Sequence, residues 1–121
     1  MRPGVGIDLI EIGRLEQALA RHPRLAERVF TSAELDHARA RRRPGRHLAA
    51  RFAAKEAAVK ALGLGPLGLR EIEIVSGEPP RLRLRGRAAA AAREREVALS
   101  VSLSHSREMA VAVVLADDRP A

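Results

Sequence analysis

Five side chains in this chain have the types and spacing to do chemistry: Asp8, Glu56, Lys60, Lys55 and His105. Asp8 falls within an alternating stretch, between the apolar residues Val5, Ile7 and Leu9, and lies near the end of the strand that this alternation predicts. Glu56 and Lys60 fall one turn apart on the edge of a predicted helix, so the two carboxylates meet if that helix packs across the strand's end. Two carboxylates with open positions suit Mg²⁺, which binds oxygen, keeps waters and completes its shell with substrate phosphates. The same residues also fit plainer roles, with Asp8 capping the next helix and Glu56 paired to Lys60. A lysine at position 60 would neutralise charge on a phosphoryl group, a reaction catalysed mostly by positioning and electrostatics. Lys55 lies inside the helix's apolar stripe, where its stem would be covered and its ammonium would snorkel to the surface. His105, between two serines in a polar connection, could serve as an acid, a base or a phosphate ligand, or be a structural turn residue. His22, His37 and His47 share no metal-ligand spacing and read as surface residues.

Basic residues dominate the remainder. The formal net charge is +7 and the 22 basic residues include only two lysines, so 20 are arginine. A field of this sign gathers anionic partners without saying which. The arginine excess also resembles a coding bias, which makes two retained lysines informative as compact ammonium groups. Arg14, Arg21 and Arg28 recur every seven residues with Arg24 close by, a basic stripe suited to an acidic helix or a phosphate backbone, or simply a solvated face. The run Arg41 to Arg43 with Arg46 could hold a phosphate near a helix start.

The predicted elements position these groups. The opening strand is followed by a helix from about Ile12, broken at Pro23, and by a short helical piece from Leu25 to Phe30. Thr31-Ser32-Ala33-Glu34 has the form of a capping box and starts a helix at about Ala33. Arg46 to Leu62 is strongly helical, with Leu48, Phe52, Val59 and Leu62 on one stripe expected to face the core, and Gly63, Gly65 and Pro66 end it. Glu71 to Val75 and the stretch around Leu82 and Leu84 form a hairpin. Arg87 to Arg95, with five consecutive alanines, reads as a helix. Val97 to Leu103 and Met109 to Leu115 are two further strands, and disorder is expected only in the last few residues, 117–121. The expectation is one α+β domain over residues 1–121, with a mainly antiparallel sheet packed against a long helix.

Bulk properties narrow the class. The absence of cysteine excludes disulfides and thiolate chemistry, and no apolar run approaches a membrane span or a signal peptide. A soluble cytoplasmic protein with no membrane partner is the expectation. At 121 residues a large ligand cleft would need walls from a second copy, so oligomerisation is expected from size.

Three stretches together resemble one family, the holo-acyl-carrier-protein synthases, the short branch of the 4′-phosphopantetheinyl transferases. They are Gly4 to Glu11 leading to Arg14, similar to the family's G-x-G-x-D opening, then Arg51 to Gly63, similar to its signature helix, and Val101 to Ser106. Phe30 to Leu35 and Ile72 to Ile74 also fit, so the likeness covers nearly the whole chain in order. The resemblance implies a Mg²⁺-dependent transfer of 4′-phosphopantetheine from coenzyme A to a serine of an acidic acyl carrier protein, releasing adenosine 3′,5′-bisphosphate. It implies that Asp8 and Glu56 bind the metal, that Lys60 stabilises charge, and that His105 lines the same site. Glu56, a water on the metal and His105 remain open as the proton acceptor, with Glu56 or its water favoured. Arg51, Gly63 and Gly65 resemble cofactor contacts beside Lys60 and His105, and Arg14, Arg21, Arg24 and Arg28 resemble the docking surface for the carrier. A homotrimer with interfacial sites and a place in fatty-acid or other lipid assembly complete the expectation. Ala50 stands where many relatives have glycine, and the arginine-rich hairpin departs from the pattern at the cofactor rim. The competing reading is a nucleic-acid-binding module, for which two phenylalanines, Phe30 and Phe52, offer almost no stacking surface. No nucleic-acid partner is expected.

Overall fold

The computed structural model describes residues 4–119. Strand β1 (Gly4–Glu11) runs straight into helix α1 (Ile12–Arg21), and α2 (Leu25–Val29) follows after Pro23. Then come α3 (Ser32–Arg39), the long α4 (Pro44–Leu62), a 3₁₀ turn (Leu69–Glu71), the hairpin β2 (Ile72–Val75) and β3 (Arg81–Leu84), α5 (Gly86–Arg95), β4 (Val97–His105) and β5 (Met109–Asp118). The strands form two antiparallel sheets, one of three in the order β1-β5-β4 and one of two, β2-β3. The α+β architecture is as expected. Asp8 lies inside β1, opposite Ala112, rather than at the strand's end, because pairing with β5 continues to Glu11. Asp117 and Asp118, placed in a disordered tail by sequence, pair with Ala98 and Val97, since β4 offers a backbone partner that polar composition does not reveal. Residues 120–121 of that tail lie outside the described residues.

Helix α4 lies across β1 and β5, and small residues make this possible. A Cβ at Gly4 or Gly6 would collide with the backbone carbonyls of Ala61 and Ala57. The helix in turn buries Ala50, Ala53, Ala54, Ala57, Ala58 and Ala61. The stripe expected to face the core is therefore not the main contact: Leu48 and Leu62 are buried, but Phe52 and Val59 are only half-buried. Where a strand backbone approaches this closely, alanine makes the contact, and a pattern weighted toward large side chains overlooks it. Gly63 ends the helix at φ 65°, the left-handed conformation that glycine adopts without strain.

A second core cluster joins Ile12, Leu15, Phe30, Leu35 and Leu48, so α1, α2 and α3 pack onto the N-terminal half of α4. Phe30 is 1% exposed, and burying such a side chain stabilises by roughly 1.5–3 kcal/mol. Thr31 forms the expected capping box with Glu34 and fixes the start of α3.

The other face of the three-stranded sheet is uncovered. Val5, Ile7 and Leu9 are 66%, 59% and 62% exposed, and Val113 and Leu115 of β5 are 39% and 43% exposed. Register places Val5 beside Leu115 and Ile7 beside Val113, so these side chains make one contiguous apolar patch.

Candidate active site

One flank of α4 carries the predicted carboxylates. Lys60 Nζ donates to the Ile7 carbonyl at 2.9 Å and to Asp8 Oδ1 at 3.2 Å, so the ammonium clips α4 to β1. This pair replaces the Glu56–Lys60 pair that helix spacing allows, and Asp8 does not cap α1, whose N-cap is Glu11. Lys60 is 54% exposed, which makes the ion pair worth little by itself and leaves the ammonium able to turn toward an anionic ligand. Glu56 sits on the same side, one turn earlier. Partial burial raises its carboxyl above the usual range, the Asp8 charge raises it further, and Lys60 partly offsets both. Two mutually repelling carboxylates beside an open surface form an oxygen site that a hard divalent cation would relieve. Among the described residues no group of three or more His, Cys, Asp or Glu side chains could hold a metal. Two carboxylates are a donor set suited to Mg²⁺ that shares its shell with water and phosphate. Asp8 and Glu56 therefore fit that ion.

The opposite flank is cationic. Arg51 lies five residues before Glu56, which turns it about 140° around the helix. It donates from Nη2 to Ser76 Oγ at 2.9 Å, and Ser76 Oγ lies 2.9 Å from His37 Nδ1. His37, His47 and His105 form a string with ring centroids 6.2 Å apart at each step, edge to face. Neither His37 nor His47 is the isolated surface residue that sequence suggested. Desolvation is the first cause lowering both imidazoles below their ordinary value, and neighbouring arginines add to it, Arg51 and Arg41 for His37, with Arg46 as well for His47. The Nε atoms of Arg46 and Arg51 are buried without a partner among the described residues. Two imidazoles among crowded guanidinium groups, with donors unspent, make a surface poised for a polyanion. His105 ends β4 rather than lying in the connection, and it joins Arg51 here through His47.

The predicted residues thus divide into two sets on two flanks. Gly63 lies at the C-terminal end of α4, near Arg95, and Gly65 lies in the turn after it. Arg43, expected to hold phosphate with its neighbours, instead pairs with Glu16 at 3.3 Å and donates to the Arg107 carbonyl at 2.6 Å. Arg14, Arg21, Arg24 and Arg28 are all exposed along α1, the break and α2. Beside them runs a groove of about 610 Å³, lined by Asp8, Arg14, Leu15, Leu19, Val29 and Phe52 among others. Its apolar floor reaches from the basic stripe to Asp8.

Lys55 overturns its expected role. It does not snorkel: its side chain is 0% exposed and its Nζ lies 2.7 Å from Glu34 Oε1, also 0% exposed. Sequence reasoning missed Ser76, the pairing of His37 with His47, and Glu34 as a partner of Lys55. The partners are 10 to 39 positions apart in chain and lie on different elements, so no local spacing signals them.

A sequence model described as the 4′-phosphopantetheinyl transferase superfamily matches residues 4–114. A protein of Moorella thermoacetica named holo-[acyl-carrier-protein] synthase is 58% identical over 80 residues, covering 64% of this chain and 62% of that protein. The chain therefore matches somewhat under two thirds of that relative's length. Among solved structures, the Chronobacterium ammoniagenes ACPS–CoA complex superposes with a TM-score of 0.86 at 32% identity, covering 99% of this chain and 100% of that one. A holo-(acyl-carrier-protein) synthase from Bacillus anthracis in complex with CoA (3′,5′-ADP) gives 0.77 at 34% identity, covering 95% and 96%.

Proposed function

Since the chain belongs to the 4′-phosphopantetheinyl transferase superfamily, we propose that it is a holo-[acyl-carrier-protein] synthase, moving the 4′-phosphopantetheine arm of coenzyme A onto a serine of an acyl carrier protein. The observation that carries this is the meeting of Asp8, Glu56 and Lys60 on one flank of α4.

Asp8 and Glu56 would hold Mg²⁺, which when bound neutralises charge on the coenzyme A diphosphate. Lys60, loosely tied to Asp8, swings to the same phosphates and stabilises the charge that develops there. The carrier serine Oγ bonds to the β-phosphorus while the bridging P–O bond to the α-phosphate breaks, and adenosine 3′,5′-bisphosphate leaves. The serine proton passes to Glu56 or to a water beside it. Arg51 and His105 bind the nucleotide end of the ligand, and the residues of the turn from Gly63 to Gly65 flank it.

The two flanks face away from each other, so a site that uses both takes one from each of two copies. The exposed face around Val5, Ile7, Leu9, Val113 and Leu115 supports such an assembly, a homotrimer with active sites at its interfaces. Arg14, Arg21, Arg24 and Arg28 dock the acidic carrier, with the groove beside Arg14 accepting an apolar side chain of it. No helix of the described residues is long and apolar enough to cross a membrane. Action in the cytoplasm on a carrier of fatty-acid or polyketide assembly accords with this reading.

Intact-protein mass spectrometry of an apo carrier incubated with this chain, coenzyme A and Mg²⁺ tests the function. A gain of one phosphopantetheine mass, blocked by EDTA, is the expected result. No gain across several apo carriers, with the chain shown to be folded, would refute it.

A further inference from the structure

The buried pair Lys55–Glu34 sits next to the site in sequence but outside it in space, and its hydrogen bonding is complete. Lys55 Nζ reaches Glu34 Oε1 at 2.7 Å, the Leu69 carbonyl at 3.0 Å and the Ile72 carbonyl, so its three N–H groups are all spent. Glu34 accepts from Thr31 N and Ile74 N, each at 2.9 Å, in addition to the ammonium. The Phe30 ring lies below the cation, 5.6 Å to its centroid. One ion pair therefore ties α4 to the start of α3, the 3₁₀ turn and β2.

Stability alone is a weak reason for such a pair. Two desolvated charges often contribute no more than apolar side chains of the same volume would. The rotational setting of α4 is a better reason. Toward β1 the helix presents Ala57 and Ala61, against Gly6 and Gly4, within a run of buried alanines. Such shallow surfaces let backbones approach but lack the deep ridges and grooves that fix one orientation. A rotation of about 10° would carry a side chain some 6 Å from the helix axis through roughly 1 Å. A misplacement of that size can cost about 100-fold in rate. Glu56 is the next residue to Lys55, so the directional bonds of the ammonium set where its carboxylate falls relative to Asp8.

We propose that Lys55 and Glu34 are positioning residues for Glu56, a buried phase lock that holds α4 at the rotation where the Asp8 and Glu56 carboxylates share one cation. The inference rests on the reading of Glu56 given above.

The test is the double variant Lys55→Met/Glu34→Gln beside wild type and Glu56→Gln. It measures thermal melting, Mn²⁺ binding by the free-ion EPR signal, and steady-state transfer. The double variant is expected to fold but to melt below wild type, because the Leu69 and Ile72 carbonyls lose the ammonium and a glutamine amide cannot accept from both Thr31 N and Ile74 N. Its Mn²⁺ affinity falls about tenfold, as when residues behind a metal ligand are removed. Its kcat falls roughly 30- to 100-fold, with a much smaller change in KM for the carrier, because the arginines of the basic stripe stay exposed on α1 and α2. Values of kcat and Mn²⁺ affinity within twofold of wild type would overturn the proposal. So would an equal rise in KM for the carrier, which marks general loosening, or a variant that does not fold, which would make the pair part of the fold itself. If Glu56→Gln keeps both transfer and Mn²⁺ binding, the failure lies in the reading of Glu56 and not in the lock.

Discussion

The two flanks of α4 differ in what they leave unbalanced. On one, Asp8 and Glu56 repel each other and a single half-exposed ammonium offsets them. On the other, Arg41 and Arg51 crowd the His37 and His47 imidazoles, Arg46 adding to them at His47, and two buried Nε groups have no partner among the described residues. The first flank lacks a cation and the second lacks an anion. On the proposed function, a metal-bound diphosphate carrying a further phosphate would answer both, taking one flank from each of two copies. In that reading a small chain would serve a large ligand by contributing two half-sites rather than one whole cleft.

The largest effect should come from the acidic flank. Asp8→Ala or Glu56→Ala is expected to lower Mg²⁺-dependent turnover by about 10²–10³-fold or more, with melting nearly unchanged because neither side chain belongs to a core cluster. Full activity in either variant would remove the metal assignment. Next, Arg51→Met should raise KM for coenzyme A by roughly 10- to 100-fold, the cost of a charge-assisted contact, with a smaller change in kcat. Mixing Glu56→Ala chains with Arg51→Met chains after dissociation should then restore turnover at limiting coenzyme A, since about a quarter of randomly formed interfaces unite two intact flanks. Absence of recovery, with mixed oligomers demonstrated, would place both flanks in one chain's site.

A smaller and more local effect is expected outside the two flanks. Arg14→Glu should raise KM for the carrier more than for coenzyme A, and the difference should shrink as salt is added. Equal effects on both substrates would count against a local docking role.

The smallest prediction concerns pH. Burial and the surrounding guanidinium groups hold His37 and His47 below 6.5 in the folded chain, so the unfolded chain protonates first. Their contribution is fully present above about pH 6.5 and fades as pH falls toward the depressed folded values, below which the loss stops. The melting temperature should therefore decline between pH 6.5 and 5.5, less steeply in a His37→Gln/His47→Asn variant and less steeply with phosphate bound. A slope identical in wild type and variant would show that the string does not set it.

The legible parts of the fold were those with a short-range signal. Thr31 and Glu34 announced the start of α3 by their spacing, and that capping box is present. Yet the same Glu34 also accepts from Ile74 N, 40 positions away, and holds Lys55, 21 positions away, and nothing in the capping pattern says so. Lys55 looked like a surface-seeking lysine because its flanking alanines give no sign of how much surrounds them. Asp8, Glu56 and Lys60, grouped by the sequence, do lie near one another. The choice of Asp8 over Glu56 as the partner of Lys60 was not visible, because helix spacing offers only the local option.

The sequence by itself determined the kinds of element, their order, the family and the excess of positive charge, since propensity, periodicity and motif act over a few residues. Only the tertiary structure decided which side chains meet. Asp8 and Lys60 come together across 52 positions and His47 and His105 across 58. These outcomes depend on how α4 crosses the sheet and on its rotation there. A helix face made of alanine, laid on glycine, carries too little shape to write either into the local sequence.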